Sequence, residues 1–217
     1  MSVTVIGTVA LDSIKTPQGK REKILGGSGM FAAMAASLFG PVHLVSIVGD
    51  DFSPAHQQTL SEKGIDLSGL AIINGEKTFS WTGEYQGDMQ EAITKSTDLN
   101  VLLQFDPIIP ESAKNSKVVF CANCDPVAQK KAIEQFINPQ CVILDTMNYY
   151  IDNHLSDLKA VLPLVDIFVL NDQEAKMLTG EPNLIIALDQ LRTLGPKQII
   201  IKKGAHGSIF YNGETYF

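Results

Sequence analysis

The residues of this sequence best suited to chemistry stand where predicted strands end. Asn171 and Glu174 lie between an apolar run and a helical pattern, and Asp145 and Lys202 each follow another apolar run. If these runs are parallel strands, their carboxyl ends meet at one edge of a sheet, where ligands of open α/β proteins bind. Carboxylate and amide oxygens there can orient the water ligands of Mg²⁺ beside phosphate groups. Capping of the following helix by Asn171 is the simpler structural explanation.

A second glycine-containing turn and a further amide fall at the same predicted edge. Gly204 and Gly207 follow Lys202, and a lysine with two glycines at a strand end can contact a nucleotide, although the spacing is also typical of a turn. Asn148 stands three residues after Asp145. The shared location of these segments favours a binding site more strongly than any one of them does.

The pair Gly26-Gly27 opens an Ala- and Met-rich pattern that predicts a buried helix over 27–39. Glycines let a ligand approach the backbone, and the first turn of a helix offers unpaired N–H groups. A tight turn in front of a packed helix explains the same residues without any ligand.

A rival interpretation makes the protein a dinucleotide-dependent oxidoreductase. Gly27-x-Gly29-x-x-Ala32, with Asp50 further along, matches the loose dinucleotide fingerprint. That fingerprint follows directly on the first strand of its fold, whereas here the polar stretch 15–23 intervenes. The phosphate-binding loop G-x-x-x-x-G-K-[ST] does not occur in the sequence, which disfavours P-loop kinases.

Short apolar runs alternate with helical patterns along most of the chain, which predicts one α/β domain over 1–217 with a mostly parallel sheet covered on both faces. The predicted strands are 3–9, 43–48, 117–121, 142–144, 167–170 and 198–201, and the predicted helices are 27–39, 53–63, 126–136, 155–165, 172–179 and 184–194.

Two regions break this rhythm and predict a small β lid with strands from about 12–22 and 70–100. Within the second region, 70–74 and 78–86 predict a hairpin around 75–77. Near the end of the sequence, Asn212-Gly213 predicts a two-residue hairpin turn.

Composition limits the function classes. The 217 residues carry a formal net charge of -7, which argues against a general nucleic-acid binder. No apolar run is long enough to span a membrane. Three cysteines without an export signal indicate a reduced, cytoplasmic compartment. Cys121 and Cys124 have the spacing of a redox pair, but two small residues in a strand-to-helix turn explain them more simply.

Taken in chain order, these segments resemble the motifs of the ribokinase-like (PfkB-type) sugar and nucleoside kinase family. The matching motifs are Val5-Ile6-Gly7 with Asp12, Gly26-Gly27, Val48-Gly49-Asp50-Asp51, Asp145-x-x-Asn148, Asn171-x-x-Glu174 and Lys202-x-Gly204-x-x-Gly207. The resemblance implies a ribokinase-like three-layer α/β/α sandwich and ATP-dependent phosphorylation of a hydroxyl group on a sugar or sugar-like small molecule.

The resemblance also implies which residues contact the substrate. Asp12, Gly26 and Gly27 would contact the hydroxyl-bearing molecule, and Asn148 would lie near it, although its spacing departs from the commonest family pattern. Many family members have Asn where this sequence has Phe31. Phe31 would instead present an aromatic wall, which favours a substrate with an apolar face or a different pose.

On the nucleotide side, the resemblance implies that Asn171 and Glu174 organise Mg²⁺ and the phosphates of ATP, with Glu174 acting on the metal through water. Lys202, Gly204 and Gly207 would lie beside the nucleotide. The lid would close over the substrate and exclude water, and in relatives such lids often form a homodimer interface.

The family's Gly-Ala-Gly-Asp segment, which supplies phosphate-binding N–H groups and the general-base Asp, does not occur in this sequence. We therefore expect the base to lie beyond Phe217, the sequence to be C-terminally incomplete, and the 217 residues alone to have little kinase activity. A domain that binds a small polyol without chemistry is the alternative.

Overall fold

The computed structural model describes residues 2–87, 89 and 92–217, which fall into two compact units that meet in sequence between Ala113 and Lys114. No helix in these described ranges is long and apolar enough to cross a membrane.

Three strands of the first unit pair in parallel with one another. Its elements are β1 (Val3–Ile6), β2 (Ala10–Thr16), β3 (Gly19–Gly26), α1 (Ser28–Ala36), β4 (Val42–Gly49), α2 (Pro54–Ser61), β5 (Ile65–Ile73), β6 (Ser80–Tyr85) and β7 (Ala92–Asp98), followed by a 3₁₀ turn at Asn100–Gln104. β4 lies between β1 and β5 and is parallel to both. Seven of its eight residues are buried, as expected for an apolar, β-branched strand covered on both faces.

The other strands of this unit form a separate sheet in the order β3-β2-β6-β7. β2 is antiparallel to β3 and parallel to β6, and β6 is antiparallel to β7. The predicted hairpin between 70–74 and 78–86 is therefore wrong. The strand 65–73 is an edge strand beside β4, and its mixture of half-buried and exposed residues reflects that edge position.

Part of the predicted lid range, residues 88, 90 and 91, lies outside the described residues. The roles predicted for the four-stranded sheet, as a lid and as a dimer interface, stay predictions.

The second unit contains a largely parallel sheet in the order β12-β11-β10-β9-β8. Its elements are β8 (Val118–Cys121), α3 (Pro126–Ile133), β9 (Cys141–Asp145), α4 (Asn148–Asn153), α5 (Leu155–Val161), β10 (Ile167–Asn171), α6 (Asp172–Thr179), α7 (Leu184–Arg192), β11 (Gln198–Lys202) and β12 (Ser208–Tyr211). Only the pairing of β11 with β12 is antiparallel among these described strands. The register places Asn171 beside Lys202 and Val169 beside Asp145, so the carboxyl ends of β9, β10 and β11 lie at one edge.

Two local expectations need correction. The predicted helix 27–39 ends at Ala36, and Leu38 and Phe39, which are 78% and 91% exposed, lie outside it and outside the core. The turn after β12 is longer than Asn212-Gly213 predicts, because Tyr211 pairs with Tyr216. Asn212 Oδ1 accepts hydrogen bonds from Glu214 N–H and Thr215 N–H. These bonds stabilise a four-residue loop instead of a two-residue turn.

Candidate functional site

Asp12 lies in β2, and its side chain is partly buried. The backbone N–H groups of Gly27 and Trp81 act on its carboxyl group by lowering its pKa. The Asp12 Oδ1 atom is buried and has no hydrogen-bond partner among the described residues. Burial raises the pKa of this carboxyl above its ordinary value of 3.8, and the two N–H donors oppose the shift. Because a buried acceptor without a donor costs free energy, a ligand hydroxyl that donated to Oδ1 would remove that cost.

Gly26 and Gly27 are required by the packing around Asp12 and Thr8. A Cβ atom at Gly26 would lie 1.9 Å from Asp12 Oδ2, and one at Gly27 would lie 2.4 Å from the Thr8 carbonyl oxygen. Gly27 also has a φ of 93°, a region that side-chain-bearing residues rarely adopt. Gly26 therefore shapes the site through Asp12 and Gly27 through Thr8, whether or not a ligand contacts their backbone.

The first N–H groups of α1 are directed at Thr8. Ser28 N–H donates to Thr8 Oγ1 at 3.0 Å, and the N–H groups of Gly29 and Met30 donate to the Thr8 carbonyl oxygen at 2.9 and 3.3 Å. The sequence suggested that these groups were unpaired and open to a ligand. Their bonds to Thr8, and the position of α1 after β3 of the small sheet, also argue against a dinucleotide pyrophosphate at this helix.

Phe31 lies one turn into α1, with its N–H donating to the Gly27 carbonyl oxygen at 3.1 Å. Its side chain is 61% exposed, so it contributes little to the core of this unit. The exposed ring offers a flat apolar surface close in sequence and in the helix to the glycine pair.

In the second unit, Asn171 and Glu174 form a capping box at the start of α6. Asn171 Oδ1 accepts from Glu174 N–H at 2.8 Å, and Glu174 Oε2 accepts from Asn171 N–H at 2.6 Å. The capping interpretation of Asn171 is therefore confirmed. The bond from Asn171 N–H also holds the Glu174 carboxylate, which is 6% exposed, at the strand edge.

An ion pair joins the neighbouring strand ends. Lys202 Nζ lies 2.8 Å from Asp145 Oδ1, and the Asp145 side chain is 16% exposed. Burial raises the pKa of Asp145 and of Glu174, and the positive charge of Lys202 opposes both shifts. The edge therefore brings two largely buried carboxylates under the influence of one ammonium group, which is 46% exposed and accessible to an anion.

The strand end that carries Asp145 is fixed by Gln129 of α3. Gln129 Nε2 donates to the carbonyl oxygens of Ala122 and Asp145 at 3.1 and 3.0 Å, and the residue is 1% exposed. Asn148 begins α4 and is exposed, and its Oδ1 accepts from Tyr149 N–H at 3.0 Å. The structure thus places Asn148 close in sequence to this strand end but shows no contact between its side chain and the ion pair.

The segment after β11 is a closed turn. Lys203 N–H donates to the Gly207 carbonyl oxygen at 2.8 Å, and Gly207 N–H donates to the Gly204 carbonyl oxygen at 3.2 Å. Gly204 and Gly207 both have positive φ values, 55° and 79°, which explains the two glycines as turn residues. A Cβ at Gly207 would meet no atom within 4 Å, so space is open beside this turn.

The residues at this edge fit a Mg²⁺ ion that is bound together with phosphate groups. Within the described ranges, no three His, Cys, Asp or Glu side chains form a cluster able to hold a metal. Mg²⁺ commonly uses one or two carboxylates, several waters and substrate phosphates. Glu174 fits a water-mediated contact of this kind, since its Oε2 atom already accepts a backbone N–H.

The cysteine pair does not have the surroundings of a redox site. Cys121 and Cys124 are 0% and 1% exposed, and burial raises the pKa of the Cys121 thiol to about 12 and that of Cys124 well above its ordinary value. A reactive cysteine needs thiolate character and access, and both thiols lack these features.

Sequence reasoning missed three residues that shape the two sets of site residues: Thr8, Trp81 and Gln129. Trp81 acts through its backbone N–H and Thr8 mainly through its carbonyl oxygen, so their side-chain types carried no signal. Gln129 is a polar residue on the buried face of a predicted helix, and that position was a readable indication of an internal hydrogen-bonding role.

Comparisons with known proteins agree with this picture. The sequence profile of the pfkB family carbohydrate kinases matches residues 1–217. A cytidine kinase of Thermococcus kodakarensis is 29% identical, over 99% of this chain and 77% of its own length. A ribokinase of Arabidopsis thaliana is 28% identical, over 89% of this chain and 54% of its own length.

Solved structures establish the fold. The nucleoside kinase of Methanocaldococcus jannaschii, an archaeal member of the ribokinase family, matches with a TM-score of 0.77 at 19% identity, over 100% of this chain and 75% of that one. Arabidopsis thaliana ribokinase complexed with ribose and ATP matches with a TM-score of 0.76 at 22% identity, over 100% of this chain and 76% of that one. The predicted ribokinase-like α/β fold with a mostly parallel sheet is confirmed.

Proposed function

This chain belongs to the pfkB family of carbohydrate kinases, and from that membership we propose that it serves the ATP-dependent phosphorylation of a hydroxyl group on a sugar or a nucleoside. The observation that carries the proposal is the buried Asp12 Oδ1 atom, an acceptor without a donor among the described residues. A substrate hydroxyl is a neutral donor of the right kind, and a bond to a carboxylate is one of the stronger hydrogen bonds available to it.

On the substrate side, Asp12 Oδ1 would accept a hydrogen bond from a hydroxyl group of the ligand. Phe31, with 61% of its side chain exposed, would cover a flat part of the ligand. A nucleoside offers both features, since it combines ribose hydroxyls with an aromatic base, whereas a free sugar offers mainly the first. We therefore favour a nucleoside as substrate, with a free pentose as the second choice.

On the nucleotide side, Lys202 would attract the phosphates of ATP, and Asp145 would hold the lysine in position through their 2.8 Å contact. Glu174 would orient water ligands of Mg²⁺, with Asn171 fixing its carboxylate. The metal, when bound, would neutralise charge on the phosphoryl groups. Gly207 would leave open space for the nucleotide beside the turn that it forms with Gly204.

Binding and turnover should be measured separately. Isothermal titration calorimetry with D-ribose, cytidine and inosine tests the substrate side, and titration with ATP and Mg²⁺ tests the nucleotide side. We expect saturable binding in both titrations. The sequence contains no Gly-Ala-Gly-Asp segment, so we expect ADP release by the 217 residues to be slower by several orders of magnitude than in a kinase with a general base and its phosphate-binding N–H groups.

Phe31→Asn separates the two substrate classes. If the Phe31 ring covers a base, the variant loses affinity for cytidine relative to D-ribose while its affinity for ATP stays unchanged. An unchanged preference would remove the aromatic-wall argument. Absence of binding by any sugar or nucleoside would overturn the proposed function, and binding without turnover by a protein that includes a general base would favour the non-catalytic polyol-binding alternative.

A further inference from the structure

The single tryptophan of the sequence lies flat across a glycine of its own strand. Trp81 and Gly83 both belong to β6, and Gly83 is the one residue of that strand that is buried. A Cβ atom at Gly83 would lie 1.9 Å from the Trp81 ring carbon Cη2 and 2.3 Å from Cζ2. Any residue with a side chain at this position would therefore lift the indole off the strand.

A hydrogen bond from the indole to the next strand holds the ring in this position. Trp81 Nε1 donates to Thr94 Oγ1 of β7 at 3.1 Å. The indole is partly exposed, and Gly83 takes up one of its two faces, which leaves the other face for a ligand. Because the ring is already fixed, it loses little conformational freedom when a ligand packs on it.

The strand register places this ring on the same face of the small sheet as Asp12. Ile14 of β2 pairs with Gly83 in parallel. Side chains alternate between the two faces of a strand, so Asp12 and Trp81, two residues earlier on their strands, lie side by side on the face that carries Ile14. From its own position the indole reaches over Gly83, two residues or about 7 Å further along the strands.

We propose that the Trp81 indole is a specificity-determining surface that stacks on the base of a nucleoside whose ribose hydroxyl donates to Asp12 Oδ1. That oxygen is buried and has no hydrogen-bond partner among the described residues. The distance along the strands from Asp12 to the end of the ring is similar to that from the hydroxyl edge of a nucleoside to its base. A free sugar would reach Asp12 but would leave the ring uncovered.

The inference rests on the proposed function and adds to it a residue of the small sheet that selects nucleosides over free sugars. Stacking on an aromatic side chain tolerates any base, because every base has a π-face. Trp81 should therefore favour nucleosides as a class, purine and pyrimidine alike, instead of one particular base.

Trp81 reports on its own occupancy, because no other tryptophan contributes to the emission. The fluorescence is excited at the red edge of the tryptophan band, where nucleosides and tyrosine do not absorb, and calorimetry measures binding of the same ligands. We expect cytidine and inosine to quench the emission with the dissociation constants that calorimetry gives, and D-ribose to leave it unchanged. Nucleoside binding with unchanged emission would overturn the inference and leave the proposed function standing. If no sugar or nucleoside binds, both fail.

Replacement of Trp81 measures what the ring contributes to affinity. Trp81→Leu keeps an apolar side chain without a ring, and Trp81→Phe keeps a ring. We expect Trp81→Leu to raise the dissociation constant of cytidine about tenfold and that of D-ribose less than about twofold, since only the nucleoside stacks. Trp81→Phe should restore most of the cytidine affinity. An equal loss for cytidine and D-ribose would show that Trp81 acts only through the structure of the sheet, which overturns the inference.

A second set of variants displaces the ring and leaves Trp81 in place. Gly83→Ala puts a Cβ atom where the ring lies, and Thr94→Val removes the acceptor of the Nε1 bond. We expect both to change the emission of the ligand-free protein and to weaken cytidine, about tenfold and about threefold respectively. Thr97→Val is the matched control, since Thr97 lies in the same exposed strand β7 but Nε1 donates to Thr94, and it should match the wild type. Wild-type cytidine affinity in Gly83→Ala would contradict the stacking geometry.

Discussion

Replacement of Gly26 by alanine should weaken substrate binding without affecting the nucleotide. The added Cβ would lie 1.9 Å from Asp12 Oδ2 and 2.5 Å from Asp12 Cγ. Carbon and oxygen atoms that are not bonded stay at least about 3 Å apart, so the carboxylate must move by about 1 Å or the strand must shift. Hydrogen bonds tolerate only a few tenths of an ångström, so the moved Asp12 carboxylate would no longer be placed to accept from a substrate hydroxyl group.

The size of the effect follows from the bond that Asp12 would make to a substrate hydroxyl. A hydrogen bond to a charged group contributes about 1.5–3 kcal/mol. At about 1.4 kcal/mol for each factor of ten, its loss raises the dissociation constant of cytidine or D-ribose by about 10- to 150-fold. The dissociation constant of ATP should stay within about twofold, because Asn171, Glu174 and Lys202 belong to the second unit, whereas Gly26 and Asp12 belong to the first.

The assay is calorimetric titration of Gly26→Ala with each ligand, and Gly64→Ala is the control. Gly64 has a φ of 75° and open space around it, so alanine there costs stability through backbone strain of about 1–2 kcal/mol but touches no site residue. In an Asp12→Ala background, Gly26→Ala should add nothing to the loss of substrate affinity. Wild-type affinity in Gly26→Ala, or an equal loss in Gly64→Ala, would refute the argument that Gly26 acts through Asp12.

Three further predictions concern the second unit. Lys202→Met leaves the Asp145 carboxylate without its partner at 2.8 Å and should weaken ATP at least tenfold in calorimetry while cytidine affinity is kept; an equal loss for both ligands would contradict it. Glu174→Gln keeps the helix cap but removes a carboxyl whose folded-state pKa burial raises above 4.5. The stabilising contribution of this carboxyl is therefore present below pH 4.5 and is lost as the pH rises through the raised pKa. Over that interval, urea unfolding should show the free energy of unfolding of the variant rising relative to that of the wild type. The opposite trend would be evidence against a raised pKa. Cys121 and Cys124 should react with a thiol reagent at pH 8 only after unfolding, and rapid reaction of the folded protein would revive the redox interpretation.

The pattern of the sequence predicted the elements that are decided locally. The helix at 172–179 has the predicted bounds, and Ser53 caps α2 by accepting from His56 N–H at 3.3 Å. Caps and apolar runs can be predicted because a residue and its immediate neighbours determine them. The end of α1 is harder to predict, since the apolar residues Leu38 and Phe39 continue the helical pattern but are exposed.

Strand pairing was predicted less well, because it depends on residues far apart in sequence. The run 70–74 predicts one strand of a hairpin, yet β5, which contains most of that run, pairs with β4 in parallel and forms an edge. Likewise, nothing in the sequence connects Asp51 with Thr78, whose hydroxyl donates to Asp51 Oδ1 at 2.6 Å. The type of each residue was informative, but the contact depends on where the fold brings two backbones together.

The capping box shows that the structural and the chemical explanations of one motif are compatible. Asn171 and Glu174 satisfy each other's backbone N–H groups, which is sufficient reason for both residues to begin α6. The first of these bonds, from Asn171 N–H, also holds the Glu174 carboxylate, 6% exposed, at the strand edge where Lys202 pairs with Asp145. A longer or unpaired side chain at this point would lose rotamer entropy on contacting a hydrated metal, whereas a carboxylate fixed by the cap has already lost it. The cap is therefore what prepares Glu174 for the role proposed here, and a variant that keeps the cap but removes the charge separates the two contributions.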